Sequence, residues 1–210
     1  MKKFILSAAL IAGSIFSAMA QDIKLPAPNT KQKSASVVTA LAERHSVREY
    51  SNRKLTPQEI SNLCWAACGV SRDADHRTAP TAMNRKEIRL YVFTAEAAYE
   101  YIATENKLKL VVQGDHRKLI AGSQDFAAKA PVSLLMVIDY DLFRSTGDRA
   151  MMMGCVDAGN ISQNINLYCQ AVGLCTVPRA TMDIDGLKKA LKLNEKQQPI
   201  MNNPVGYPKK

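Results

Sequence analysis

The hydrophobic pattern of this chain centres on the stretch from Ala158 to Pro178, which has no charged side chain. Its apolar positions recur at i, i+4, i+7 and i+11, which predicts one helix face: Ile161, Ile165, Tyr168 and Val172. The other faces carry amides, so we expect an enclosed helix whose amides find partners, because an unpaired buried amide costs about 1 to 3 kcal/mol. Gly173 should end this helix, and Leu174 to Val177 predicts a short buried strand.

The rest of the pattern predicts helices mixed with hairpin-linked strands. Predicted helices begin after the caps Ser36 and Thr56 and after Asp183 or Asp185, and also cover 115–128 and 141–153. The predicted strands are 88–94, 99–102, 108–112, 132–138 and 199–205. Because these elements show no regular βαβ alternation, the fold class is α+β with a mainly antiparallel sheet flanked by helices. No repeat and no internal domain boundary is visible.

The N-terminus has the pattern of an export signal. Lys2 and Lys3 precede an apolar run, and Ala18-Met19-Ala20 is the small-x-small pattern of a signal peptidase site. We therefore expect a signal peptide at 1–20, cleaved after Ala20, an exported periplasmic protein, and no stable membrane insertion. A short hydrophobic helix that stays attached is the alternative. Residues 21–35 are polar and predict a flexible leader, followed by one domain at 36–210.

Charge and cysteine content narrow the class of ligand. Loss of Lys2 and Lys3 with the leader, which has no acidic residue, changes the net charge from +9 to +7. Long basic runs with interleaved aromatics are absent, so an anionic small molecule is favoured over nucleic acid. The five cysteines have apolar neighbours, which favours core packing over a disulfide. The three histidines show no metal-ligand spacing with them, so no metal site is expected.

Residues 44–48 read Arg-His-Ser-Val-Arg and form a candidate anion site. In an extended chain, the period of two places Arg44, Ser46 and Arg48 on one side. Two guanidinium groups beside a hydroxyl suit a phosphate, because Arg forms paired charge-assisted hydrogen bonds with phosphate oxygens. A solvated basic surface explains the same residues. A polar loop at 71–85 is a second candidate, since loops of this length are often functional. No nucleotide-binding glycine motif and no nucleophile or paired-carboxylate motif is present.

Several separated segments together resemble the FMN-dependent nitroreductases. Arg44 to Arg48 is similar to the family's R-x-S-x-R motif, and Pro80 to Asn84 is similar to its P-S-x-x-N loop. Later segments follow the family's order: 123–131, 159–164, Gly173-Leu174 and 204–208. The tyrosines at 99 and 101 and the segment of Gln124 resemble the branch that includes azoline dehydrogenases of modified peptides. The resemblance covers nearly all of 37–209.

The resemblance implies a nitroreductase-like fold, an intertwined homodimer and two FMN cofactors at the dimer interface. It assigns Arg44, Ser46 and Arg48, with His45 between them, to the FMN phosphate and ribityl chain. It places a loop of the other subunit along the isoalloxazine: Pro80, Thr81, Ala82 and Asn84. Gln124 would form a hydrogen bond with the pyrimidine edge of the flavin or have a structural role. Lys209 would add positive charge beside the phosphate. Backbone groups of the following segment would pass flavin N5: Pro178, Arg179, Ala180 and Thr181.

The family also implies the reaction, a ping-pong hydride transfer between a small-molecule electron donor and acceptor. The donor is NAD(P)H or another reductant, and the acceptor is electron-poor, such as a nitroaromatic or a quinone. One alternative is an FMN-dependent dehydrogenase of a small molecule or modified peptide, because nicotinamide donors are scarce outside the cytoplasm. A second alternative is a non-catalytic exported flavin-binding module. The chain departs from the family pattern at Arg85-Lys86-Glu87, where relatives often carry Gln-Pro and an aromatic, and at Arg179, where many have Glu.

Overall fold

The computed structural model describes residues 20–143 and 146–209, so the predicted signal peptide, apart from Ala20, lies outside the described residues. The described strands form one antiparallel sheet in the order β1-β4-β3-β2-β5-β7-β6. Their bounds are Ile23–Lys24 (β1), Ile88–Phe93 (β2), Ala97–Ile102 (β3), Lys107–Gln113 (β4), Val132–Asp139 (β5), Cys175–Thr176 (β6) and Gln197–Gly206 (β7). The predicted α+β class with a mainly antiparallel sheet flanked by helices is confirmed.

The helices cover both faces of this sheet. Their bounds are Val37–Glu43 (α1), Pro57–Cys68 (α2), Arg117–Ala121 (α3), Tyr140–Phe143 (α4), Asp148–Val172 (α5) and Ile184–Leu191 (α6). Strand β5 is buried along its whole length, and its side chains alternate between two apolar clusters. One cluster includes residues of α2 and α5, and the other includes residues of α3 and α6.

The predicted helix caps are present in the structure. Ser36 Oγ accepts a hydrogen bond from the Thr39 N–H. Thr56 and Glu59 form a reciprocal capping box, so two unpaired N–H groups at the start of α2 are satisfied. Asp183, and not Asp185, caps α6 by accepting a hydrogen bond from the Gly186 N–H. These caps depend on neighbours three residues apart, which explains why the sequence pattern predicted them.

Two predicted helices are interrupted. The helix expected at 115–128 is instead α3 and a 3₁₀ turn at Asp125–Lys129, separated by Gly122 with φ of 56°. The chain at Met182 passes so close that a Cβ on Gly122 would lie 3.1 Å from its backbone. The helix expected at 141–153 is divided between α4 and α5, with Gly147 at φ of 86° before α5. Both breaks use the left-handed backbone that glycine adopts without steric cost.

The prediction of a flexible leader at 21–35 is wrong, because these residues are attached to the domain. Strand β1 pairs with β4, and Leu25 is buried. The Asn29 N–H donates to Asn62 Oδ1 at 2.8 Å, and Gln32 Nε2 donates to the Tyr168 hydroxyl at 2.8 Å. The polar composition indicated disorder because it does not reveal partners that lie far along the chain.

The uncharged stretch forms the C-terminal part of α5 and then β6, as predicted. Ile161 and Ile165 are buried, and Gly173 ends the helix with φ of 76°. The buried polar side chains of this part of the helix have partners: Ser162 Oγ donates to Asn203 Oδ1 at 2.7 Å, and Asn203 Nδ2 donates to Asn166 Oδ1 at 3.3 Å. Among the described helices, α5 included, none combines the length and apolarity needed to cross a membrane.

Candidate anion-binding edge

The segment of residues 44–48 lies against the edge of the sheet formed by β6. The Val47 N–H donates a hydrogen bond to the Thr176 carbonyl at 3.1 Å, and the Tyr50 hydroxyl donates to the Val47 carbonyl at 3.1 Å. Tyr50 also pairs with Pro208, and the Lys209 N–H donates to the Glu49 carbonyl at 3.2 Å. Burial raises the pKa of Tyr50, so its hydroxyl stays a neutral donor. The C-terminal residues therefore run beside the predicted phosphate motif.

A cavity of about 450 Å³ opens between these two segments. Its lining residues are Arg48, Glu49, Tyr50, Phe126, Lys129 and Lys209. The side chains of Arg48, Lys129 and Lys209 make no hydrogen bond or ion pair with any described residue. Three cations therefore face one carboxylate, which favours an anionic ligand. We call this space the cationic cavity.

The other members of the predicted motif lie next to the cationic cavity. Arg44 and His45 line a narrow crevice against Thr176, and both are exposed. The His45 ring makes a 2.9 Å hydrogen bond with the Glu43 carbonyl. Within the described chain, the side chains of Arg44 and Ser46 have no hydrogen-bond partner. The structure thus brings Arg48 and Lys209 together in one cavity, with Arg44 and Ser46 on the adjoining surface.

Arg179 is part of the fold, and its polar groups are already engaged. The residue is only 7% exposed, and its backbone pairs with Asn202 through both N–H and carbonyl. Its guanidinium donates to the Ile120 and Ala121 carbonyls, to Asn202 Oδ1 and to Gln124 Oε1, at 2.8 to 3.0 Å. Of the backbone groups predicted to pass flavin N5, the Arg179 N–H is therefore already engaged within the subunit. Arg179 anchors the end of α3 to β7.

Gln124 and the residues around Arg179 leave some donors unused. Because Arg179 occupies Gln124 Oε1, the side-chain amide of Gln124 is fixed, and its Nε2 makes no hydrogen bond within the described residues. Ala180 is exposed, and its N–H also has no partner in the described part of the chain. Pro178 is exposed, and the Thr181 carbonyl accepts a hydrogen bond from Asn202 Nδ2 at 3.2 Å. The remaining donors of this segment are thus Gln124 Nε2 and the Ala180 N–H.

The loop of Pro80 to Asn84 lies elsewhere on the subunit. The Ala82 N–H donates to Asp157 Oδ2 at 2.6 Å, and the Lys86 N–H donates to Thr81 Oγ1 at 3.1 Å. Asp157 precedes Asn166, which borders the Arg44 crevice, by nine residues on α5. At 1.5 Å per residue this separation along the helix axis is about 13 to 14 Å. No residue of this loop lines the cationic cavity.

The loop has strained backbone that needs support. Met83, Asn84 and Lys86 have φ of 51°, 54° and 57°, although none is glycine. Left-handed conformations cost such residues on the order of 1 kcal/mol each. The Asp157 carboxylate is the side chain that holds the loop backbone to α5.

Sequence reasoning missed several residues of these sites. Lys129 and Phe126 line the cationic cavity, and Asp157 and Glu87 are buried beside the Pro80 to Asn84 loop. Asp157 offered one signal, since it is the last charged residue before the uncharged stretch. The described residues contain no cluster of three or more His, Cys, Asp or Glu that could hold a metal. All five cysteines are free, with Cys155 exposed and Cys64 and Cys169 buried.

The fold and the site define an α+β protein with an anion-binding sheet edge and a separately anchored polar loop. The chain belongs to the Nitroreductase family, whose sequence profile matches residues 41–207. A Methanocaldococcus jannaschii protein provisionally named a nitroreductase is 30% identical over 176 residues, which are 79% of this chain and 88% of that protein. Family members generally use flavin cofactors and act as dimers on small molecules, and membership supports an oxidoreductase.

Solved structures share the fold. The crystal structure of a Ralstonia eutropha JMP134 protein, also provisionally named a nitroreductase, superposes with a TM-score of 0.84 at 28% identity and covers 91% of each chain. A chain of the Escherichia coli microcin synthetase McbBCD complex superposes with a TM-score of 0.69 at 16% identity. That match covers 100% of this chain and 85% of the other, and it shows the fold alone.

Proposed function

We propose that this protein is an FMN-dependent oxidoreductase. It transfers a hydride from a reduced donor, NAD(P)H or another, to an electron-poor acceptor such as a nitroaromatic or a quinone. The observation that carries the proposal is the cationic cavity, where Arg48, Lys129 and Lys209 are unpaired among the described residues. A phosphate is the anion that best matches several unpaired cations beside a hydroxyl.

The residues present fit FMN at both of its ends. Arg48 and Lys209 would hold the phosphate, with Arg44 and Ser46 beside it, while Gln124 Nε2 and the Ala180 N–H would donate to the ring. When bound, FMN accepts and returns a hydride at ring N5, which explains why the sequence shows no catalytic side-chain motif. The Ala180 N–H would stabilise negative charge that develops on the bound ring.

The proposed homodimer would complete this site. Exposed apolar side chains lie on two helices: Val37, Val38 and Leu41 of α1 at 68%, 76% and 54% exposure, and Met152 and Val156 of α5 at 60% and 59%. Exposed apolar clusters of this kind mark candidate association sites. A second copy docked here would supply its Pro80 to Asn84 loop, because no residue of this loop lines the cationic cavity of its own subunit.

The expected export affects the choice of electron donor. We expect residues 1–20 to direct the protein to the periplasm, where nicotinamide donors are scarce. In that compartment the same site would catalyse the dehydrogenation of a small molecule or modified peptide. The two directions are separated by anaerobic absorbance. Bleaching of bound flavin by NAD(P)H supports the reductase direction, and bleaching by an azoline-containing peptide alone supports the dehydrogenase.

The proposal is tested by the absorbance spectrum and FMN affinity of the purified protein. We expect flavin bands near those of free FMN and stoichiometric binding after reconstitution. Arg48→Ala and Arg44→Ala should each weaken binding by about 1.5 to 3 kcal/mol, or roughly 10- to 150-fold. Arg72→Ala, which removes an exposed arginine outside the cavity, is the matched control. A protein that stays colourless with excess FMN would refute the proposal, and FMN binding without turnover would favour a non-catalytic flavin-binding module.

A further inference from the structure

We infer that Glu87 is a positioning residue, whose buried carboxyl group shares one proton with Asp157 and thereby fixes the Pro80 to Asn84 loop against α5. The anchoring of the loop is independent of the proposed function. Only its consequence for flavin binding rests on that function.

The geometry leaves these two carboxyl groups without a cation. Glu87 is 0% exposed and Asp157 is 4% exposed. Neither carboxyl oxygen of Glu87 has a hydrogen-bond donor among the described residues, and neither carboxylate forms an ion pair with a described Lys or Arg. Burial of Glu87 and the neighbouring Asp157 side chain both favour the protonated form of the Glu87 carboxyl group. One proton held between them removes the repulsion and supplies the missing donor.

We assign the shared proton to Glu87. Burial, and then the hydrogen bond to Asp157, raises the pKa of Glu87 to about 7. Below that pH the Glu87 carboxyl is a donor, and Asp157 is the acceptor of both this proton and the Ala82 N–H at 2.6 Å. Asp157 is therefore held from one side by Glu87 and holds the strained loop on the other. Glu87 itself is fixed through its carbonyl, which accepts a hydrogen bond from the Asp139 N–H at 2.9 Å.

Other charged groups around Glu87 are occupied or lack a contact with it. From β2, Arg89 pairs with Glu100 and with Asp139 of β5. From the loop, Lys86 Nζ lies 3.5 Å from Asp75, and the buried Arg85 Nε has no hydrogen-bond partner in the described chain. From α5, Asp157 is the charged group that acts on Glu87. Loss of the proton above pH 7 therefore leaves two buried negative charges uncompensated, and the loop loses its anchor.

Hydrogen exchange without flavin tests the anchoring directly. Peptides covering 80–86 are followed by mass spectrometry at pH 6 and pH 8.5 in the wild type and in Glu87→Gln, after correction for intrinsic exchange rates. The side-chain amide introduced by this substitution is nearly isosteric with the carboxyl group and donates to Asp157 at every pH. We expect equal protection at pH 6 and about tenfold lower protection of the wild type than of Glu87→Gln at pH 8.5. A peptide from 132–139 should show no such difference.

Equal protection of wild type and Glu87→Gln at pH 8.5 would overturn the inference. If Glu87→Gln does not fold, the wild type alone decides, because unchanged corrected protection of 80–86 between pH 6 and 8.5 also overturns it. FMN affinity measured over the same pH range gives the functional consequence: weakening above pH 7 in the wild type but not in Glu87→Gln. A protein that fails to bind FMN at any pH refutes the proposed function and leaves the exchange result valid.

Discussion

Replacement of Arg179 by methionine tests whether its buried guanidinium holds the ligand-binding edge together. Methionine preserves much of the apolar stem and removes four hydrogen bonds. Three of the acceptors lie on buried residues, Ile120, Ala121 and Asn202, whereas Gln124 is exposed and can bond to water. At about 1 kcal/mol net for each buried acceptor, Arg179→Met should lower the free energy of unfolding by about 3 kcal/mol.

The assay is urea and thermal unfolding followed by circular dichroism at pH 7. For a domain of this size about 3 kcal/mol corresponds to a fall in Tm of roughly 6 to 12 °C. Arg179→Lys keeps the charge but cannot span the three buried acceptors, so it should recover only part of the loss. Arg72→Met, an exposed control, should change stability by less than about 0.5 kcal/mol. A loss below about 1 kcal/mol for Arg179→Met would refute the structural role.

Three further predictions follow from other parts of the molecule. Thr56→Ala should destabilise by about 1 kcal/mol in urea unfolding, because it removes the capping box of α2, while Thr30→Ala should not. From pH 5 to 8 the free energy of unfolding should fall more in the wild type than in Glu87→Gln, because in this range folded Glu87 keeps a proton that the unfolded chain has released. The rise of the Glu87 pKa from its ordinary value of 4.5 to about 7 corresponds to at most about 3 kcal/mol. Parallel pH profiles of the two proteins would contradict this prediction. Val156→Asp should convert a dimer to monomers in light scattering, whereas Ile184→Asp, on α6, should leave the dimer intact.

The local pattern of the chain was enough to predict features that depend on near neighbours. The capping box at Thr56, the hairpin of β3 and β4 and the end of α5 at Gly173 all arise from residues a few positions apart. The same reasoning failed at Gly122. There the helix ends at a positive φ, and the distant Met182 lies against the glycine backbone, a contact about which helical periodicity contains no information.

The site shows the same division. The sequence by itself determined which residues could bind an anion, since Arg44, Ser46 and Arg48 alternate along an extended chain and carry the right groups. Only the tertiary structure decided that Lys129 and Lys209 join Arg48 in one cavity, that Arg179 belongs to the interior, and that Glu87 is buried without a cation. The physical reason is that burial and electrostatic pairing depend on which distant segments pack together, whereas side-chain chemistry and backbone periodicity are properties of the local chain.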